Sequence, residues 1–200
     1  MSSGQSASAH HRGQSPMFRS TPCRAGRGGA LPGSLERVLA STDGWTICAQ
    51  GHRHWGRAGA AGLLIHRDGD GGLELLLQHR AWWSHHGGTW GTPGGALHSG
   101  ESPDAGALRE VGEELGLTPQ DLVLGAHSVD DHGGWAYTTV LARPTRRFDA
   151  ADLRLDGESD GVAWVPLAQL AEIELHPGLA ASMGRLSPLL HGQYGGLNGA

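Results

Sequence analysis

The chain has 200 residues, a formal net charge of −5 and 38% hydrophobic residues, enough for one packed domain and little more. With 34 Gly and 10 Pro it approaches low-complexity composition, but strand-length apolar runs separate these residues and no G-X-Y register persists, which excludes collagen. No apolar stretch nears the ~18–20 residues that span a bilayer; the richest, residues 60–65, stops at His66 and Arg67. The first residues carry no apolar segment of the secretory type, and Cys23 and Cys48 make no disulfide framework, so a reducing, cytoplasmic home without membrane contact is expected.

The charge is unevenly spread. Residues 1–44 hold five Arg against Glu36 and Asp43, a balance of +3, and residues 45–200 hold the rest, a balance of −8. So acidic a domain repels a nucleic-acid backbone, and five Arg over 44 residues are too dilute for a basic patch, so no nucleic-acid partner is expected. Phosphates remain accessible to it if divalent metals supply the positive charge. Every basic residue is Arg and none is Lys, which we read as codon bias rather than function.

Three segments are expected: a largely disordered tail over 1–44, a folded domain over 45–191 and a frayed end over 192–200. The first is rich in Ser, Gly, Arg and His and buries too little apolar surface to offset ordering, though residues 34–40 suit one helical turn. Met17 is a candidate start within it. Residues 51–59 should lead into the first sheet strand. Ala60–Arg67 and Leu73–Arg80 read as strands of a hairpin turning through Asp68-Gly69-Asp70-Gly71-Gly72. A Trp/His/Gly-rich loop, 81–88, and a short strand or turn over 89–95 follow.

Pro103–Leu115 is helical: Ser102 is placed as N-cap, Pro103 suits the first turn and Asp104 complements the positive end of the dipole. Gly116 suits a left-handed C-cap, with Leu117 folding back onto the helix. Leu122–Val129 and Trp135–Arg143 form a second strand pair and Gly161–Val165 a short strand. Pro166–Ile173 and Pro177–Leu190 are helical, with Ser187-Pro188 loosening the end of the second. The order predicts an α/β fold, a mixed β-sheet covered by helices on both faces.

The chemistry concentrates in Gly95–Leu117, GALHSGESPDAGALREVGEELGL. At about 100° per residue, Leu108, Val111 and Leu115 share an apolar face, while Glu110, Glu113 and Glu114 share the other. Like charges so spaced destabilise a bare helix by roughly 0.2–0.5 kcal/mol per pair, and Arg109 offsets only part of this. Hard oxygen ligands on a rigid element suit Mg²⁺ or Mn²⁺, which would relieve the repulsion.

This window resembles the signature of the Nudix hydrolase family, G-x5-E-x7-R-E-U-x-E-E-x-G-U with U bulky and aliphatic. Gly95, Glu101, Arg109, Glu110, Val111, Glu113, Glu114, Gly116 and Leu117 stand at its constrained positions. The likeness extends to Trp90-Gly91-Thr92-Pro93-Gly94-Gly95 and Trp164-Val165-Pro166, and covers roughly residues 57–175. It implies a Nudix-fold α/β/α sandwich acting as a Mg²⁺-dependent pyrophosphohydrolase, with Mn²⁺ as substitute. Such an enzyme splits a nucleoside diphosphate linked to a group X by attack of water on phosphorus.

By the same resemblance Glu110, Glu113 and Glu114 bind the cations, and the Gly94 or Gly95 carbonyl adds a ligand. Glu101 and Arg109 pair to brace the loop against the helix. The base varies within the family; Glu110 and Glu114 are candidates, and Glu158, in the Asp156–Asp160 loop, is either a further catalytic acid or a hairpin acid without function. The substrate is expected to be a small nucleotide: a nucleoside triphosphate, an oxidised nucleotide or a nucleotide-sugar type. A homodimer would fit the family, though no segment identifies an interface. The alternative is a non-catalytic domain of this fold that binds a nucleotide metabolite; such domains usually lose box carboxylates, and this chain keeps all four.

Weaker signals surround the box. Of Trp82, Trp83 and Trp90, at least two are expected to pack, with Trp83 the best candidate to stack on a substrate base. His85-His86 suit phosphate but are more simply solvated. Cys48, His52 and His54 invite a zinc reading, yet no second Cys-x-x-Cys pair follows, so a closed structural site is not expected.

Overall fold

The computed structural model describes residues 42–192. The expectations for the tail up to residue 41, for the turn at 34–40 and for the end beyond 192 lie outside the described residues.

The central element is β3 (Ala60–Gly69), a run buried on both faces as far as His66. A strand so placed reads as a continuous apolar segment rather than an alternating one. It turns on Asp70-Gly71 into β4 (Gly72–Arg80), pairing from Gly69↔Gly72 to His66↔Leu75. Toward its start the same edge of β3 accepts β6 (Gly94–Ala96) instead, at Ala60–Gly62. The other edge runs parallel to β8 (Ala136–Pro144), from Ala60↔Tyr137 to Ile65↔Ala142, and β7 (Leu122–Asp131) completes that side. β4 continues outward to pair with β9 (Ser159–Pro166) and with β5 (Trp90–Gly91). The segment expected as one short strand or turn over 89–95 is thus two strands on different partners.

A parallel pair needs a crossover, and here it contains α1 (Pro103–Leu115). Ser102 caps its start by accepting the Ala105 N–H, and Gly116 ends it at φ 71°. Side chains alternate across the sheet. Leu63 and Ile65 of β3, Leu76 of β4 and Val140 of β8 face Ala107, Val111 and Leu115 of α1. Leu64, Leu75, Leu77 and Leu141 face Leu179, Leu186 and Leu190 of α2 (Pro177–Gly192) on the opposite side. The result is the expected α/β/α sandwich.

Four local expectations are corrected. Residues 51–59 do not enter the main sheet: β1 (Trp45–Ile47) and β2 (Arg53–Trp55) form a separate two-stranded sheet, and the chain reaches β3 only at Ala60. Leu108 is only partly buried, whereas Ala107 is fully enclosed, because the helix presents its small side to the sheet. The segment 166–173 is a 3₁₀ turn, Leu167–Glu172, rather than an α-helix. α2 runs through Pro188 to Gly192, since fully buried Leu186 and Leu190 hold the last turns where the missing Pro N–H would weaken them.

Leu186→Ala empties a site in the α2–sheet interface and is expected to cost ~2–5 kcal/mol of stability. Leu155→Ala, at a 39% exposed position, should stay within about 0.5 kcal/mol. Urea unfolding of both variants checks this pair.

Candidate active site

The Gly94–Ala96 strand lies directly over the middle of α1, and side-chain size dictates the fit. A Cβ at Gly94 would stand 2.4 Å from Ala61 O and the Gly62 Cα; one at Gly95 would stand 2.5 Å from the Glu110 carboxylate. Only glycines let this backbone touch β3 on one side and the helix carboxylates on the other.

Arg109 fastens the loop to the helix. Its Nε and Nη2 donate to the two oxygens of Glu101 at 3.0 and 2.9 Å, its Nη2 also to Ala96 O at 2.9 Å, and its Nη1 to Glu110 at 2.7 Å. Glu101 in addition accepts the His98 N–H at 2.9 Å. The planar fork of Arg makes this set possible where a point charge would not. Bonding to Arg109 holds Glu101 below the usual carboxylate range, and the carboxylates raise Arg109 above its own.

The three helix glutamates do not share one solvated face. Glu113 is exposed and lies 3.7 Å from Arg109. Glu110 is largely covered, and burial pushes its carboxyl up against the opposing pull of Arg109. Glu114 is buried at 7% exposure and accepts the Gly94 N–H at 2.9 Å. Burial first, then the neighbouring Glu110 charge, drive its pKa up to about 8.

These glutamates, Gly94 and Gly95 wall a cleft of about 370 Å³, and Glu158 lines it as well. The Glu158 backbone is held on both sides: its N–H donates to Asp156 Oδ1 at 3.0 Å and its carbonyl accepts the Ala81 N–H at 2.9 Å. The buried Gln78 donates to Ser159, which donates to Asp156 at 3.1 Å. Asp156 N–H in turn reaches Glu114 O at 3.2 Å, so the Glu158 loop and the helix end form one network. Several carboxylates on a glycine cradle, one of them buried and calling for a positive neighbour, make a donor set that fits a hard divalent cation.

A second cavity, about 540 Å³, adjoins the cleft along Gly94–Ala96, and Arg80 lines both. Its walls are aromatic and imidazole-rich, with Trp55, Trp135, Tyr137 and His176 among them. His85 and His86, expected as merely solvated, line it too, and a nitrogen of each comes within 4.8 Å of one on His176. Arg80 Nε donates to His85 O at 3.0 Å. Burial, then Arg80, hold His176 down at about 4, so it is neutral near pH 7.

The tryptophans fall out differently from the expectation. Trp90 packs in the α2-side core, but Trp82 and Trp83 are 79% and 57% exposed, and Trp83 lines neither cavity. The aromatic walls come instead from Trp55 and Trp135, which no sequence pattern had singled out. Arg80 was equally hidden at the end of an apolar strand.

A carboxylate-walled cleft on a glycine loop and helix, within an α/β/α sandwich, defines a hydrolase of phosphoric anhydride bonds in nucleotides. The chain belongs to the Nudix family: the model described as the NUDIX domain matches residues 56–190. It is 44% identical over 162 residues, 78% of this chain and 73% of the other, to a Mycobacterium tuberculosis protein named "Putative 8-oxo-dGTP diphosphatase 3". It is 46% identical over 142 residues to a Bifidobacterium longum nucleoside triphosphate pyrophosphatase/Nudix hydrolase fusion protein, covering 70% of this chain and 29% of that one. Among solved structures, the Nudix hydrolase RenU of M. smegmatis superposes with a TM-score of 0.68 at 41% identity, covering 74% of this chain and 95% of RenU. No helix among the described residues is long and apolar enough to cross a membrane.

Glu114 gives a pH signature. Its folded pKa lies above its ordinary 4.5, so its contribution to stability is full below about pH 4.5 and is lost as pH rises through about 8. The cation-free protein should melt ~8–16 °C lower at high pH than at pH 5 from this group alone. Glu114→Gln should lose most of that difference in chelator-containing thermal unfolding scans.

Proposed function

We propose that the enzyme is a Mg²⁺-dependent pyrophosphohydrolase of nucleoside triphosphates, with oxidised purine nucleotides its first candidates. The observation that carries this is the junction of two unlike cavities at Arg80: an acidic cleft suited to cation-bound phosphates and an aromatic, imidazole-lined chamber suited to a base. The name borne by the 44% identical M. tuberculosis relative points to the same substrate class.

Glu110, Glu113, Glu114 and the Gly94 or Gly95 carbonyl would hold the cations, Mn²⁺ substituting for Mg²⁺. When bound, such cations neutralise phosphate oxygens and acidify water. The remaining roles fall to the chain itself. Arg109 and Glu101 keep the Gly94–Ala96 loop on the helix. Arg80 receives a phosphate oxygen where the two cavities meet. Glu158, on the open wall of the cleft and fixed through its backbone, takes the proton of the attacking water, while Glu110 is held by Arg109 and Glu114 by Gly94. Trp55 and Trp135, rather than Trp83, flank the base. The cytoplasm, where small nucleotides are available, is the compartment this role requires.

Release of pyrophosphate from canonical and oxidised nucleoside triphosphates, dinucleoside polyphosphates, ADP-ribose and coenzyme A tests the proposal. Glu110→Gln and Glu114→Gln should lower kcat by ~10²–10⁴-fold with Mg²⁺ present. Near-normal turnover by both would overturn the assignment. Glu158→Gln should lower kcat with little change in KM, whereas Arg80→Ala should chiefly raise KM, by about tenfold or more. A panel that binds but is never cleaved would favour the metabolite-binding alternative.

A further inference from the structure

The small β1–β2 sheet stands apart from the main sheet, and one of its contacts is with the β7–β8 turn. Ala49 N–H donates to Gly133 O at 2.8 Å, and Trp135 Nε1 donates to Gly56 O at 2.8 Å. At this contact a Cβ on Gly133 would meet the Ala49 side chain at 2.8 Å. The β7–β8 turn therefore presses against the β1–β2 turn.

That contact completes a set of ligands. Cys48 and His52 flank the β1–β2 turn, His54 lies in β2, and His132 comes from the β7–β8 turn, some eighty residues along the chain. One donor atom of each lies within 4.8 Å of all the others. The absence of a second Cys-x-x-Cys pair spoke against a closed site, but the fourth ligand is supplied by the fold rather than by spacing.

Two further observations point the same way. His54 Nε2 and His132 Nδ1 are buried with no hydrogen-bond partner among the described residues. Buried imidazole nitrogens are seldom left so in a native protein. The rings are also held in place: His54 stacks on Trp135 at 3.9 Å between centroids, and His132 Nε2 faces Asp130 at 3.4 Å. A carboxylate on the outer nitrogen of a histidine is the arrangement that orients an imidazole toward a metal through its other nitrogen. Asp130 is itself anchored to α2 by Arg185 at 3.1 Å.

We propose that Cys48, His52, His54 and His132 form a tetrahedral zinc site, with Asp130 positioning His132. One thiolate and three imidazoles suit zinc and do not suit Mg²⁺, which takes oxygen ligands. Bond lengths of about 2.0–2.3 Å in a tetrahedron place ligand atoms roughly 3.3–3.8 Å apart, so the group contracts by at most about 1.5 Å when the ion enters. Binding releases the Cys48 thiol proton. With four protein ligands no coordination position is left for a substrate, which makes the ion a staple and not a second catalytic centre. Because His52, His54 and His132 line the larger cavity, the staple fixes one of its walls.

The full-length protein, stripped by chelator and re-titrated with Zn²⁺ against a chromophoric competitor in excess Mg²⁺, tests this. One zinc per chain is expected. Co²⁺ in its place should give the intense visible bands of a tetrahedral site with a single thiolate charge-transfer band. Cys48→Ser and His132→Gln should each weaken zinc binding by at least ~100-fold, and Asp130→Asn by ~10–100-fold. Glu113→Gln should leave zinc affinity unchanged, separating this site from the glutamate cleft. Far-UV circular dichroism confirms that each variant is folded, and zinc should raise the Tm of the wild type but not of folded Cys48→Ser. Substoichiometric zinc, a weak octahedral cobalt spectrum, or equal affinity in wild type, Cys48→Ser and His132→Gln would each overturn the proposal.

Discussion

The constraint on which the site depends is the burial of a carboxylate. Glu114 lies under the glycine loop with the Gly94 N–H and the Gln78 side chain as its hydrogen-bond partners, in surroundings that favour its neutral form. A buried charge is tolerable only where something positive shares its space. Arg109, the strongest cation nearby, is already committed to Glu101, Glu110 and the Ala96 carbonyl. The cleft is therefore short of positive charge by construction, which is what makes it a place for divalent ions. The glycines follow from the same need, since a side chain at Gly95 would press on the Glu110 carboxylate and one at Gly94 would push the loop off β3.

The two cavities divide the problem of holding a nucleotide. The acidic cleft repels a bare phosphate and accepts one only with cations between. The neighbouring chamber offers rings and imidazoles, with His176 kept neutral by burial and with Arg53 and Arg80 also on its walls. Arg80 stands where these regimes meet, at the end of β4 and on both walls. An acidic domain handling an acidic ligand thus relies on a few arginines, Arg53 and Arg80 on the chamber walls among them, and on whatever ions the glutamates gather.

Much of this was legible in the sequence because it is local. Helix α1 announces itself by its cap, its proline and its apolar spacing, and the hairpin of β3 and β4 by Asp-Gly between apolar runs. The pairing of Glu101 with Arg109 follows from the resemblance and is present as a bidentate fork. What escaped was non-local. Arg80, Trp55 and Trp135 look like ordinary strand and turn residues until the fold brings them to one wall. Cys48, His52 and His54 were visible as a group, but His132 lies on another hairpin, and no spacing rule connects them. Trp83 misled because an aromatic in a glycine-rich loop reads equally as a stacking platform or as an exposed ring, and only tertiary position separates the two. Glu113 and Glu114, adjacent in sequence, differ because the loop crosses one and not the other.

The parallel pairing of β3 with β8 has a consequence for how the molecule comes together. It joins Ala60 to Tyr137, 77 positions apart, while the β3–β4 and β7–β8 hairpins close over a few residues each. Closing long loops costs more entropy and slows formation, so the hairpins are the early structures and the crossover the late one. The glycine loop and helix α1 both lie within that crossover. A chain that has made its hairpins alone has no place for a cation, and the cleft comes into being only once long-range pairings such as β3–β8 are made.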